Sequence, residues 1–319
     1  MSSFSLIDLH QDLLLHIKHR EFYPQEHWQT NFEKLIRAHV RLVTATAFPV
    51  PPKENYFDSV TNELIESDLK EYNTYCIQDP RFFIVRGCED VTKAVQNAES
   101  KDVCGILLHV EGLNVFENND WTRLEHWYDI GWRSLGIVWN LTNGLGGGTK
   151  DPIQGLTRLG AEVIEWCQHK RMIIDFAHMN ERTFFDVMKI VQGPIIVSHG
   201  NAYTLCSNQR NYTDEQLRCV AERDGVVGIF FAKTFLTGEQ IATVTDVANH
   251  MDHFRKVMGI DHIAIGSDFG GIITGMVKGL DAIDRMPLLW QELEQRGYSF
   301  EMIEKIAWKN AARVLHDIL

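Results

Sequence analysis

The stretch Ser5-Leu6-Ile7-Asp8-Leu9-His10-Gln11-Asp12 decides how the rest of the chain is read. Ile7 and Leu9 alternate with Asp8 and His10, the pattern of a β-strand running into a polar end. Side chains two apart on a strand share a face, so His10 and Asp12 can point at one spot and hold one metal ion. An isolated H-x-D of this kind is more simply a buried His–Asp pair. It acquires chemical meaning only if other apolar strands also end in His, Asp or Glu.

Working outward, extended and helical patterns alternate. Apolar extended stretches are expected at residues 40–48, 105–111, 134–140, 172–177, 194–198, 225–231 and 262–267, with a short extended piece at 82–86. Helical periodicity runs around 32–38 and over 54–78, 91–99, 121–130, 156–169, 181–191, 213–223 and 244–258, and two further helices close the chain. Eight short apolar strands separated by helices predict a parallel α/β architecture. Eight is also the number that closes a ring. The expected fold is therefore a (β/α)8 TIM-type barrel with an additional N-terminal insertion and C-terminal helices, forming one domain over residues 1–319. A doubly wound open sheet is the alternative, weakened because no G-x-G-x-x-G follows the first strand. The glycine-rich run 142–148 lacks the G-x-x-x-x-G-K-[ST] pattern of a phosphate loop and reads as a flexible surface loop near a site.

At 319 residues the chain exceeds the roughly 250 of a plain barrel, leaving room for insertions. A net charge of -12 argues against nucleic acid or another polyanion as partner. Six cysteines are scattered without a C-x-x-C pair, so neither a disulfide framework nor a sulfur-rich zinc site is expected. No leader pattern opens the chain, no apolar run approaches the ~18 residues of a membrane span, and the last residues are amphipathic. A cytoplasmic protein without a membrane partner is the expectation.

In such barrels chemistry collects where the strands end. The first strand ends in His10 and Asp12, and the one at 105–111 in Glu111. Those at 172–177 and 194–198 are followed by His178 and His199, and the one at 262–267 by Asp268. Polar groups at five apolar strand ends would each need a buried partner. Three imidazoles with an Asp and a Glu form a nitrogen-and-oxygen set suited to zinc or a similar ion. Five donors exceed the need of one tetrahedral ion. We expect His10 and Asp12 on one ion, His178 and His199 on a second, and Glu111 across both, with a metal-bridging hydroxide as the attacking group. Asp268 reads as the general base that passes a proton to a leaving amine; a further ligand or a helix cap is its alternative. Arg210 can grip a substrate carboxylate with two N–H groups, although spacing alone also allows a structural arginine. Asp8 and His109 lie deeper on the same faces and read as internal hydrogen-bonders. Asp175 falls off the His178 face. His250 and His253 share a helix face among polar residues and read as solvated.

These residues resemble a known family. Asp8-Leu9-His10-Gln11-Asp12, His109-Val110-Glu111-Gly112, Asp175-Phe176-Ala177-His178, Ser198-His199, Arg210-Asn211 and Ile265-Gly266-Ser267-Asp268-Phe269-Gly270 look like the motifs of the membrane (renal) dipeptidases, peptidase family M19, in the same order. The closing stretches around Gly297-Tyr298-Ser299 and Asn310-Ala311-Ala312-Arg313 are similar as well. The resemblance implies dipeptide hydrolysis at a site with two Zn2+ per chain. Its ligands would be His10, Asp12, Glu111, His178 and His199, with Arg210 and Asp268 as substrate and proton-transfer residues. It implies tolerance of a D-residue at the C-terminal position, hence L,D-dipeptides, and a homodimer. One departure stands out. Mammalian members carry a His where this chain has Trp139, so the indole N–H, the metals or another donor must face the substrate carbonyl. That departure keeps open another amidohydrolase activity, on N-acyl amino acids or lactones. A metal-dependent binding protein without turnover is a third reading, disfavoured by the intact ligand set.

Overall fold

A computed structural model describes residues 4–18, 28–47, 62–96, 103–114, 116, 120–238, 241–272 and 275–319. Its strands are β1 (Leu6–Gln11), β2 (Val40–Ala47), β3 (Phe82–Ile84), β4 (Cys104–Glu111), β5 (Trp132–Gly136), β6 (Ile173–Asp175), β7 (Ile196–Gly200), β8 (Val226–Ile229) and β9 (Ile263–Ile265). All their pairings are parallel. Eight of them close a ring in the order β1-β2-β4-β5-β6-β7-β8-β9, with β9 returning to β1. This is the expected TIM-type barrel.

The short extended piece expected at 82–86 is a real strand, but it stands outside the ring. Phe82, Phe83 and Ile84 pair with Cys104, Gly105 and Ile106, while β5 takes the same edge of β4 from Leu108 onward. With the helices Asn62–Gln78 and Cys88–Gln96, β3 makes up the insertion between β2 and β4. The helix expected over 54–78 is seen from Asn62; its first part, with the ends of the 40–48 strand and of the 91–99 helix, lies outside the described residues. β6, β8 and β9 are shorter than the apolar runs predict, and β5 is displaced toward the N-terminus. It ends at Gly136, and residues 137–140, expected as its continuation, leave the sheet. Apolar composition marks burial there, not pairing: Ile137 and Val138 are fully buried in a loop.

The ring has one apolar and one polar end. Leu42, Leu107, Ile173, Ile196 and Val226, in the N-terminal halves of their strands, cluster with Ala311, Val314 and Leu315 of the terminal helix Asn310–Ile318. That helix therefore plugs the end remote from the candidate site residues. The outer faces of the strands pack on the helices through Leu69, Leu124, Val163, Phe184, Leu217 and Phe254. Side-chain caps set where the helices begin: Thr157, Asn180, Thr213 and Ser299 each accept from the N–H three residues on. Among the described residues, no helix is long and apolar enough to cross a membrane.

Two features hold the seam where the ring closes. Asp8 on β1 accepts from the Ser267 N–H (2.9 Å) and hydroxyl (2.5 Å) beyond β9, and from the Gln11 amide (2.6 Å). This is the internal role expected for Asp8. Further round, Gly228 on β8 and Gly266 just past β9 face the Ser198 carbonyl oxygen so closely that a Cβ on either would overlap it. Glycine is required there by the approach of a neighbouring backbone. Gly266→Ala is expected to lower the unfolding free energy by about 1–3 kcal/mol through that overlap, measured as a fall in denaturant midpoint at unchanged slope.

Candidate metal centre

Each strand end presents its side chain because successive residues alternate faces and the last residue turns out of the sheet. His10 is the last residue but one of β1, Glu111 closes β4 and His199 lies in β7. His178 and Asp268 lie just past β6 and β9, where both adopt left-handed backbone with φ of 64° and 60°. Such a conformation in a non-glycine residue costs on the order of 1 kcal/mol or more and persists only where its surroundings impose it. Here it turns an imidazole and a carboxyl group back over the mouth of the ring. The Asp268 N–H donates to the His10 carbonyl (3.0 Å), which locks that turn against β1.

The six groups converge. Glu111 Oε1 lies 2.9 Å from His178 Nε2, 3.5 Å from His10 Nε2 and 3.7 Å from His199 Nε2. His178 Nε2 and His199 Nε2 are 3.2 Å apart. Asp12 Oδ2 and Asp268 Oδ1 stand 3.9 and 3.6 Å from His10 Nε2. Two triads with the spacing of a cation's ligands share one member: His10, Asp12 and Glu111 form one, Glu111, His178 and His199 the other. A third, His10, His199 and Asp268, overlaps both. This is the grouping expected from the strand ends.

Burial drives every titratable group in the cluster toward its neutral form. Glu111 is held well above the usual carboxyl range by burial and then by the charge of Asp268. Burial followed by Asp12 does the same to Asp268, and burial followed by Glu111 to Asp12. Burial pushes His10, His178 and His199 well below the ordinary imidazole value. Neutral imidazoles with exposed lone pairs, facing three crowded carboxyl groups, are complementary to a bound cation. Asp12 Oδ1 is buried with no hydrogen-bond partner among the described residues, as a donor atom awaiting an ion would be. The residues present therefore fit a metal site.

The surroundings orient the donors. His178 Nδ1 meets Asn140 Oδ1 at 2.9 Å, which makes Nδ1 the protonated nitrogen and leaves Nε2 free to ligate. Asn140 is fixed by Thr149, whose hydroxyl donates to the same oxygen at 3.1 Å. Nothing in the sequence singled out Asn140, which sits in an irregular loop with no period to place it. Beside it the Trp139 ring stacks on His178, centroids 5.7 Å apart and planes at 28°. The Cβ of Trp139 packs against Gly112, whose φ of 79° and lack of a side chain admit it.

Arg210 is buried in the loop after β7. One Nη donates to the His199 carbonyl (3.1 Å); Nε and the other Nη have no partner among the described residues. It stands over the Phe230 ring and forms part of the wall of a cavity of about 480 Å3 that includes Thr149, Met179 and Tyr203. A buried guanidinium with two of its three nitrogens unpartnered is costly unless an anion completes it.

Residues set aside from the site fall as follows. His109 is internal, its Nδ1 2.8 Å from Ser134 Oγ, and burial lowers its pKa to about 4. His253, expected to be solvated, is instead part-buried and pairs with Asp214 at 2.7 Å. His250 departs from expectation: it is buried, not solvated, accepting from the Ala202 N–H (3.0 Å) and facing the Leu236 carbonyl (3.1 Å). The segment at Ala202 and the short helix Lys233–Leu236 cover a face of the helix Val244–Met258 whose polar composition suggested water.

A family model described as membrane dipeptidase (peptidase family M19) matches residues 1–318. An uncharacterized protein in the pqqA 5′ region of Klebsiella pneumoniae is 33% identical over 235 residues, covering 70% of this chain and 86% of that one. An uncharacterized dipeptidase of Schizosaccharomyces pombe is 33% identical over 219 residues, covering 66% of this chain and 52% of its own. Among solved structures, a metallo peptidase from Rhodobacter sphaeroides, liganded with a phosphinate mimic of the dipeptide L-Ala-D-Ala, superposes with a TM-score of 0.86 at 21% identity, covering 100% of both chains. The probable dipeptidase PvdM from Pseudomonas aeruginosa gives 0.84 at 18% identity, covering 99% of this chain and 95% of that one.

Asn140→Ala is expected to weaken metal binding by about 10–100-fold, because His178 loses the partner that fixes its tautomer. Chelator competition with Zn2+ measures it, and far-UV circular dichroism should remain that of the parent.

Proposed function

The chain belongs to the membrane dipeptidase family, peptidase family M19, and from that premise we propose that it is a dinuclear zinc dipeptidase cleaving dipeptides, L,D-dipeptides among them. The observation that carries this reading is Glu111, whose one oxygen lies within 2.9–3.7 Å of three imidazole nitrogens at the end of a buried barrel. His10 and Asp12 would hold one ion, His178 and His199 the other, and Glu111 both. When bound, such a pair of ions acidifies water and polarises the scissile carbonyl.

The chain's own residues do the rest. The Arg210 guanidinium, with Nε and one Nη unpartnered among the described residues, pairs with the free C-terminal carboxylate of the substrate, which restricts the enzyme to very short peptides. Asp268, 3.6 Å from His10 Nε2, takes the proton of the attacking water and passes it to the leaving nitrogen. The left-handed turn at Asp268 keeps its carboxyl group over the cluster and away from the sheet. Trp139 walls the site beside His178, where its indole N–H is a candidate donor to the carbonyl oxygen. The phosphinate mimic of L-Ala-D-Ala bound by the Rhodobacter sphaeroides metallo peptidase supports including L,D-dipeptides among the substrates.

A second reading keeps the metals and changes the substrate to an N-acyl amino acid or a lactone. The Trp139 stack on His178 favours it, since a flat apolar wall also suits an acyl chain.

A panel of L,L-, L,D- and D,L-dipeptides with N-acyl amino acids and lactones, assayed with metal analysis and with or without chelator, separates the two. Cleavage of dipeptides with about two Zn2+ per chain, abolished by chelation, is the expected result. Arg210→Ala should raise KM for a free dipeptide by at least about thirty-fold, the equivalent of about 2 kcal/mol, and leave a C-terminally amidated analogue little changed. Equal losses on both substrates would remove Arg210 from carboxylate binding.

A further inference from the structure

Below the cluster lies a second layer of polar groups that the chemistry above does not use. Asp175, at the end of β6, is buried and accepts on both carboxylate oxygens. Oδ1 takes the main-chain N–H groups of Ala177 (3.0 Å) and Ser198 (2.8 Å). Oδ2 takes the Ser198 hydroxyl at 2.5 Å. The Ser198 oxygen lies in turn 2.8 Å from His199 Nδ1. His109 Nε2 faces the same Asp175 oxygen from across the ring at 3.7 Å.

Hydrogen counting gives this chain a direction. Ser198 has one hydroxyl proton, and the carboxylate oxygen beside it can only accept. With that proton committed to Asp175, the Ser198 oxygen can only accept from His199, so His199 carries its proton on Nδ1. Its Nε2 is then a bare lone pair, aimed at Glu111 and His178. The Asp8–Ser267 pair at the ring seam has the same arrangement, with two main-chain N–H groups on Oδ1 and the serine hydroxyl on Oδ2. There the serine oxygen accepts from the Phe269 N–H (3.2 Å), and no imidazole is involved. An Asp–Ser pair is thus a device that fixes neighbouring strand ends; at Ser198 it also reaches a histidine.

We propose that Asp175 is a positioning residue that acts through the Ser198 hydroxyl to hold His199 in the tautomer able to bind a metal. The metal part of the claim rests on His199 being a metal donor, as in the function proposed above. Asp175→Asn tests it with almost no change of shape. The asparagine oxygen keeps both main-chain N–H groups, and its amide nitrogen now donates to Ser198. The Ser198 proton turns to His199 Nδ1, and the His199 proton moves to Nε2, where it blocks ligation. A wrong tautomer produced by an Asp-to-Asn change is known to disable a catalytic histidine elsewhere.

The experiment has two arms. In metal-free protein labelled with 15N-histidine, the His199 signals, identified by their loss in His199→Gln, should report an Nδ1–H tautomer in the parent and Nε2–H in Asp175→Asn. In Co2+ titrations against a chelator, Asp175→Asn should lose about 10–100-fold in affinity. Ser198→Ala should also weaken binding, and adding Asp175→Asn to Ser198→Ala should cost nothing further, since the relay is already cut. An unchanged His199 tautomer in Asp175→Asn overturns the proposal. So does an Asp175→Asn loss that persists in full on the Ser198→Ala background, which would make Asp175 a support for the backbone alone. A parent protein that takes up no Co2+ overturns the metal reading itself and with it the purpose of the relay, while the tautomer arm still decides whether the relay exists.

Discussion

Three carboxyl groups and three imidazoles share a few ångströms of buried space at one end of the barrel, and that crowding governs everything around it. Burial alone would make every one of them neutral. Ionised, Asp12, Glu111 and Asp268 would repel one another in a medium that screens poorly. Only a bound positive charge lets the carboxylates ionise together while the imidazoles offer lone pairs. Arg210 supplies one such charge at the rim, and its charge favours the ionised forms of both Glu111 and Asp268. The remainder of the demand is what a pair of divalent ions would meet.

The fold tolerates this cluster because its two ends are built differently. The plug by the helix Asn310–Ile318 and the apolar layer above it provide the packing, so the opposite end can carry polar and strained residues. Of the left-handed non-glycine residues, His178 and Asp268 are the two that aim a side chain at the cluster, while His39, Arg171 and Asp224 lie in turns outside it. Glycine is used where strands must crowd, at Gly228 and Gly266 against the Ser198 carbonyl. Those glycines and the Asp175–Ser198 pair act on the same stretch of β7. The geometry of His199 is therefore set from behind by backbone contact and from below by a hydrogen-bond chain.

The barrel and the gathering of His10, Asp12, Glu111, His178, His199 and Asp268 were legible in the sequence because both depend on short-period patterns. Strand alternation places a side chain on a face, and the end of an apolar run places it at the mouth of the ring. What stayed hidden depends on contacts between distant segments. Asn140 reaches His178 from a loop with no period, in a segment whose apolar residues looked like a strand. His250 lies on a helix face of polar composition that the segments at Ala202 and Leu236 bury. Alternation put Asp175 off the His178 face, yet it points into the ring beside His109, one layer below the cluster, and alternation could not show that Ser198 on the next strand would connect it to His199.

The central claim is that these strand ends exist to hold two ions with Glu111 between them. Anomalous diffraction from crystals of Zn2+-loaded protein, collected on both sides of the zinc edge, tests it most directly. The account predicts two peaks roughly 3.5–4 Å apart, one beside His10 and Asp12 and the other beside His178 and His199, each in contact with a Glu111 oxygen. A single peak away from Glu111, or no peak among these residues, would contradict it.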